Sequence, residues 1–365
     1  MPKRFTPPLK LKWQFVIGVA AFALALIVSQ RSFRPGEARA QADCSAIANQ
    51  LKALESERAR LVKNLQKPGD SGQLKELDSE ILEKQRELNK CTGPPMCNGM
   101  RVCTAEEDNT PPHLIVAFPG PNGMTLHGYL YVPGVGTKAQ LGAVTRKYPA
   151  MICNHGSEEE PSTAEHLARL YLDHGFAFFF PHRHGQGLSK DAGPYIVDLE
   201  NQLHSDLASV GLHELYNKDV LAAVDWLKSQ PFVDPRRIAM SGGSYGGIQT
   251  LLTAEKDPGI RAYVAFTPGT QSWGNELLRR RLIAAVQNEK EPMFVIQARG
   301  DYTLAPLETL APVLGTKGNP NKWKVKLYPK FGCTDHDAHA LFGGSCGGIV
   351  IWDQDVLAFL DQWVK

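Results

Sequence analysis

Residues 237–247, Arg237-Ile238-Ala239-Met240-Ser241-Gly242-Gly243-Ser244-Tyr245-Gly246-Gly247, decide how the chain is read. An apolar run ends in glycines around one serine, and a helix-forming run, Ile248-Gln249-Thr250-Leu251-Leu252-Thr253-Ala254-Glu255, follows directly. The pattern predicts a strand, a sharp turn and a helix, with the Ser244 hydroxyl at the apex and glycine where a side chain would obstruct a strained backbone. In a chain with 33 glycines among 365 residues, Gly-x-Ser-x-Gly is weak evidence by itself. A second match, Gly343-Gly344-Ser345-Cys346-Gly347, follows Asp337-Ala338-His339-Ala340-Leu341-Phe342 rather than a clear strand.

Strand, serine turn and helix in this order resemble the nucleophile elbow of an α/β-hydrolase, in which the serine is followed along the chain by an acid and then a histidine. No histidine follows Ser345, so that copy reads as a turn. From Ser244 the order can be completed. Pro292-Met293-Phe294-Val295-Ile296-Gln297-Ala298 reads as a buried strand, and Asp301 follows its end. Of the 11 histidines only His336 and His339 come after Asp301. His339 is favoured as the base because its loop precedes the terminal helix; His336 is held in reserve.

The formal net charge of +2 and the lack of a basic stripe interleaved with aromatics argue against a nucleic-acid partner. Residues 1–43 are a separate segment. Lys3, Arg4, Lys10 and Lys12 precede an apolar run from Phe15 to Val28, and Ala38-Arg39-Ala40 resembles a signal-peptidase site. The run is shorter than a bilayer span of about 20 residues, which favours a cleaved signal peptide; the alternative is a membrane anchor through residues 13–28. Either places the body outside the cytoplasm, periplasmic or secreted in the first case. Seven cysteines agree with export. The expected pairs are Cys44 with Cys91, Cys97 with Cys103 and Cys333 with Cys346, leaving Cys153 free in a strand. A competing zinc reading of Cys333-x2-His336-x2-His339 lacks a second ligand half, and His182 with His184 lack a third ligand, so neither a metal nor another cofactor is expected.

Residues 44–91 are charged and helical in pattern, with Ile47, Leu51, Leu54, Leu61 and Leu65, then Leu74, Leu77, Ile81 and Leu88, at helical spacing on either side of Lys67-Pro68-Gly69-Asp70-Ser71-Gly72. They predict a coiled-coil-like helical hairpin, read either as a surface for a protein partner or self-association or as a hairpin packed on its own domain. Residues 92–112 are a connector bearing cysteine and proline. From 113 to 365 strands and helices alternate. Strands are expected at 113–118, 125–132, 148–153, 176–180, 261–266, 293–298 and 323–328 besides the elbow strand, and helices at 163–174, 206–229, 274–287 and 350–364. Such alternation predicts an α/β fold with a mostly parallel sheet covered on both faces.

An acyl-transfer site needs donors for the oxyanion as well as a nucleophile and a base. The expected donors are the backbone N–H of Tyr245 and, from the loop Asn154-His155-Gly156-Ser157-Glu158-Glu159-Glu160, that of Ser157. The three glutamates read as a solvated acidic loop at a helix start, or as selectors of a cationic substrate group. His155, Arg183, Trp273 and Tyr302 are further pocket candidates, and residues 190–205 exceed the usual connection length, as a segment shaping the pocket would.

From about residue 110 onward the chain resembles the dienelactone hydrolase family of α/β-hydrolases, with kinship to prolyl oligopeptidase-like serine hydrolases. The residues that carry the likeness are Asn154-His155-Gly156-Ser157, Pro181-His182-Arg183 with Gly185 and Gly187, Gly242-Gly243-Ser244-Tyr245-Gly246-Gly247, Gln297-Ala298-Arg299-Gly300-Asp301-Tyr302 and Ala338-His339. The resemblance implies Ser244, Asp301 and His339 as a triad. Dienelactone hydrolases proper carry a cysteine nucleophile where this chain has serine, which tilts the expectation to a small-molecule carboxylic ester over a lactone. A prolyl oligopeptidase-like serine peptidase is the rival activity, and a non-catalytic binding protein on the same scaffold is the alternative of another class.

Overall fold

The computed structural model describes residues 110–330, 332, 336–342 and 346–365, with seven single positions or short runs between residues 46 and 84. Contacts divide the chain into two units, 1–95 and 96–365. In the first, the described residues are helical, and Ser56 Oγ donates to the Lys52 carbonyl one turn back, at 2.8 Å. The expected signal segment, the hairpin loop, the 92–109 part of the connector and the cysteines at 44, 91, 97, 103 and 333 lie outside the described residues, as does the side chain of Cys346. Cys153 is a free thiol, fully buried. Among the described residues no helix is long and apolar enough to cross a membrane.

The second unit is built on a sheet of eight strands. In chain order these are β1 (Leu114–Pro119), β2 (Thr125–Tyr131), β3 (Tyr148–Asn154), β4 (Ala177–Pro181), β5 (Val233–Gly243), β6 (Ala262–Phe266), β7 (Met293–Ala298) and β8 (Trp323–Tyr328). The spatial order is β1-β2-β4-β3-β5-β6-β7-β8. β1 with β2 and β2 with β4 are antiparallel, and all later pairs are parallel. Eight helices are described here: α1 (Lys138–Gly142), α2 (Glu165–Asp173), α3 (Ile196–Leu203), α4 (Asp206–Ser229), α5 (Tyr245–Glu255), α6 (Glu276–Asn288), α7 (Ala305–Thr316) and α8 (Cys346–Trp363).

The period of two along each strand sends neighbouring side chains to opposite faces. Phe179, Met240 and Val295 join one apolar core with Val220 and Val224 of α4, Leu251 of α5, Leu282 of α6 and Leu310 of α7. Phe178, Phe180, Phe294 and Ile296 join the other, with Leu167 and Tyr171 of α2 and Trp352 and Phe359 of α8. Strands buried on both faces explain why β3, β4, β6 and β7 read as unbroken apolar runs.

Three helices were not expected. α1 is only five residues long, and Thr137 caps it by accepting the Gln140 N–H at 3.2 Å. α3 forms inside the long 190–205 connection, where its left-handed end at His204 leads directly into Ser205, the cap of α4. α7 carries Pro306 in its first turn and Pro312 inside it, so its sequence reads as broken; proline is tolerated at a helix start, and the rest of α7 is held by burial of Leu307, Leu310 and Leu314.

Candidate active site

β5 delivers Ser244. The strand ends at Gly243, α5 begins at Tyr245, and Ser244 between them has φ 55° and ψ −117°, a strained backbone that lifts the side chain clear of the sheet. The flanking glycines are required by crowding. A Cβ on Gly242 would lie 2.2 Å from the Gly246 carbonyl oxygen, and one on Gly246 would lie 2.1 Å from that of Asn154. The turn is fixed from below by Ser244 N–H donating to the Phe266 carbonyl at 3.0 Å.

β7 delivers the acid. Asp301 follows it by three residues, with its carboxylate fully shielded from solvent. Oδ2 accepts from Gln297 Nε2 at 2.9 Å and Thr270 Oγ1 at 3.3 Å, and Oδ1 accepts from the Tyr302 N–H at 2.7 Å. The remaining direction of Oδ1 faces His339 Nδ1 at 2.9 Å. His339 sits on the 3-10 turn Asp337–Phe342, and its Nε2 lies 2.8 Å from Ser244 Oγ. With Nδ1–H donated to the carboxylate, Nε2 keeps its lone pair for the serine hydroxyl. The three side chains thus form one continuous line of hydrogen bonds. Gln297 and Thr270, which approach the carboxylate, were not singled out as site residues: Gln297 stands only in the quoted stretch that leads to Asp301, and Thr270 reaches the acid across 31 residues.

His336 is not in the line. Its ring stacks on Tyr302 at 4.2 Å, its backbone sits at φ 83°, and its carbonyl accepts the His339 N–H at 2.8 Å. Tyr302 also meets the His339 ring edge-on at 5.0 Å and lines the cavity. Trp273 departs from expectation: it is only 4% exposed and belongs to the apolar core, because the turn Thr270–Ser272 directs it inward, away from the cavity.

Arg183 is buried beneath the 155–158 loop. Its Nη1 donates to the His155 carbonyl at 3.0 Å, Nη2 to the Gly156 carbonyl, and Nε to Gln186 Oε1 at 3.2 Å; the guanidinium lies 4.5 Å from the centre of the Tyr245 ring. In a trans peptide the N–H points opposite to the C=O. With the Gly156 carbonyl turned down to Arg183, the Ser157 N–H therefore faces away from it, and Ser157 lines the cavity beside Ser244. Tyr245 is the first residue of α5, where a helix leaves its N–H without an intrahelical acceptor. His155 Nε2 accepts the Arg183 N–H at 3.2 Å; burial, and secondarily the adjacent Arg183, depress its pKa strongly, so the ring is neutral. Glu158 accepts the Gly156 N–H at 3.2 Å and lines the cavity, and Tyr195 and Val197, at the start of α3, complete the wall opposite.

His182 and His184 have local partners. His182 Nδ1 accepts the Leu188 N–H at 2.9 Å, and His184 Nδ1 pairs with Asp219 at 2.6 Å. Among the described residues no cluster of ligating side chains could hold a metal ion.

The family model for X-Pro dipeptidyl-peptidase (S15 family) matches residues 122–299, which include Ser244 and end before Asp301 and His339. A polyketide transferase of a Penicillium species is 25% identical over 236 residues, covering 61% of this chain and 72% of that relative. A solved puromycin-hydrolyzing peptidase of Mycobacterium tuberculosis superposes with TM-score 0.50 at 19% identity; the match spans 70% of this chain but only 40% of that one. An esterase of Pyrococcus furiosus superposes with TM-score 0.50 at 18% identity, over 74% of this chain and 98% of the esterase. The chain has the α/β-hydrolase fold. In this fold the elbow, the acid loop and the histidine turn all lie at the carboxyl ends of β5, β7 and β8, the edge where open parallel sheets place their ligand sites.

Proposed function

We propose that this protein is a serine hydrolase that cleaves carboxylic esters through an acyl-enzyme on Ser244. The observation that carries this reading is the hydrogen-bonded line from Asp301 through His339 to Ser244, at 2.9 and 2.8 Å. Ser244 Oγ attacks the ester carbonyl carbon as its proton passes to His339 Nε2. The Asp301 carboxylate fixes the ring tautomer and stabilises the imidazolium. The N–H groups of Tyr245 and Ser157 receive the oxyanion, each worth about 3 kcal/mol in such sites. The C–O bond to the alcohol breaks as His339 returns the proton to the departing oxygen. Water, deprotonated by the same nitrogen, then releases the acid. Arg183 acts on this step through the loop it holds.

Amide cleavage is the second reading, supported by the S15 match across the elbow. The dienelactone hydrolase affinity is also a proposal, resting on the motif residues quoted above. The experiment is turnover of p-nitrophenyl acetate and of matched p-nitroanilides by the wild type and Ser244→Ala. Ester turnover that disappears in the variant supports the reading; ester turnover that survives it contradicts it, and faster anilide turnover shifts the assignment to a peptidase. Export through residues 1–43 remains part of the proposal, and intact mass of protein recovered outside the cytoplasm tests it, a start at Gln41 being expected.

A further inference from the structure

The space around Ser244 consists of two chambers that meet at the serine. The larger, about 590 Å³, is walled by Leu167, Phe180 and Phe342, with His339 and Tyr302 on its border. The smaller, about 150 Å³, is bounded by Glu200, Tyr245, Ile248, Gly269 and Ser272. Ser157, Val197 and Gln271 line both. His339 borders only the larger chamber, and Tyr245 only the smaller.

This asymmetry distributes the two halves of a substrate, given Ser244 as nucleophile. The departing group must receive its proton from His339 Nε2 and so has to lie within hydrogen-bond reach of that nitrogen. It belongs in the larger chamber. The carbonyl oxygen is drawn to the N–H groups of Ser157, which lines both chambers, and of Tyr245 on the side of the smaller one, and the acyl substituent is left with that smaller chamber. A cavity of about 150 Å³ holds one benzene-sized group, so its room ends near about six non-hydrogen atoms.

The walls of the small chamber are tied in place by hydrogen bonds. The Gly269 N–H donates to the Ser244 carbonyl at 3.2 Å and the Ser272 N–H to the Gly269 carbonyl at 2.9 Å, which ties that wall to the elbow itself. Across from it, Ser209 Oγ of α4 donates to Glu200 Oε1 of α3 at 2.8 Å, fixing the other wall. We infer that the hydrolase selects substrates with a short acyl group, limited by Glu200 and Ser272, joined to a larger, largely apolar alcohol or amine. This rests on the Ser244 acyl-enzyme reading and adds to it which half of the substrate is small.

The test is the specificity constant for p-nitrophenyl acetate, butyrate, octanoate and dodecanoate, with active sites counted by fluorophosphonate labelling. The wild type is expected to lose about ten-fold or more between butyrate and octanoate, since the four extra methylenes exceed the room beside Ser244 and one methylene too many in a fitted pocket already costs about ten-fold. Glu200→Ala should raise the octanoate-to-acetate ratio, and Ser272→Leu should lower the butyrate-to-acetate ratio. Because each ratio is taken within one protein, a poorly folding variant does not obscure it. Labelled, active enzyme that prefers octanoate, or ratios unmoved in both variants, overturns the inference alone. Absence of both labelling and turnover in the wild type overturns the acyl-enzyme reading, and the inference with it.

Discussion

Asp301 accepts hydrogen bonds from Gln297 and the Tyr302 N–H besides the one from His339, with the Thr270 hydroxyl, shared with the Thr267 carbonyl, 3.3 Å away, and its side chain has no access to water. A carboxylate so held orients the imidazole without moving, so Asp301→Asn is expected to lower kcat by about 10⁴-fold with little change in KM, through the wrong ring tautomer. His336→Ala is expected to stay within about three-fold of wild type, because that ring stacks on Tyr302 and makes no bond to the serine. Steady-state kinetics on one ester checks both, and a collapse of activity in His336→Ala with full activity in Asp301→Asn would reverse the assignment. At this scale the sequence was legible where chemistry depends on order along the chain: serine, acid and histidine could be named. It was not legible where function depends on a side chain crossing the fold. Thr270, 31 residues from the acid it meets, looks like an ordinary turn residue, and Trp273, an aromatic two residues beyond Gln271 of the cavity wall, looked like part of that wall but is core.

The element that presents the histidine is the 3-10 turn Asp337–Phe342, and α8 holds it from behind. Trp352 Nε1 donates to the Leu341 carbonyl at 2.7 Å, and its ring packs against Phe266 and Phe342. Trp352→Phe removes that hydrogen bond and part of the packing. It should cost about 1–3 kcal/mol in denaturant unfolding and lower kcat more than it raises KM, as the turn loses its anchor at Leu341, two residues after His339. Unchanged stability and kcat would show that the turn holds itself. Elements with an unbroken apolar run, such as β7, or with apolar residues at helical spacing, such as α4, were readable because their burial is their sequence pattern. α7 was not: Pro306 and Pro312 signal a break, and only packing of Leu307, Leu310 and Leu314 overrides it. α3 was seen only as an overlong connection, since its eight residues have just one fully buried side chain, Ile196.

Across the whole molecule, stability should carry a recognisable pH dependence from Glu289, at the end of α6. Burial pushes its carboxyl up to about 7, although the Glu291 and Lys290 N–H groups bonded to it and the nearby Lys317 pull the other way. A carboxyl whose folded pKa is raised holds its proton in the folded state while the unfolded chain has lost it. Its stabilising contribution is therefore complete below pH 4.5 and lost as pH rises to about 7, on the order of 3 kcal/mol in all. Glu289→Gln should flatten the unfolding free energy between pH 5 and 8 by about that amount, measured by denaturant titration; an unaltered slope would remove Glu289 as its source. The sheet order, the two-sided core and the meeting of β5, β7 and the terminal turn are likewise properties of the folded whole, and the central claim is that this convergence makes Ser244 a nucleophile. Labelling with a serine-directed fluorophosphonate, mapped by peptide mass spectrometry in the native wild type, in denatured wild type and in native His339→Ala, tests that most directly. The account predicts labelling at Ser244 in the native wild type only; no labelling there, or equal labelling in all three, would contradict it.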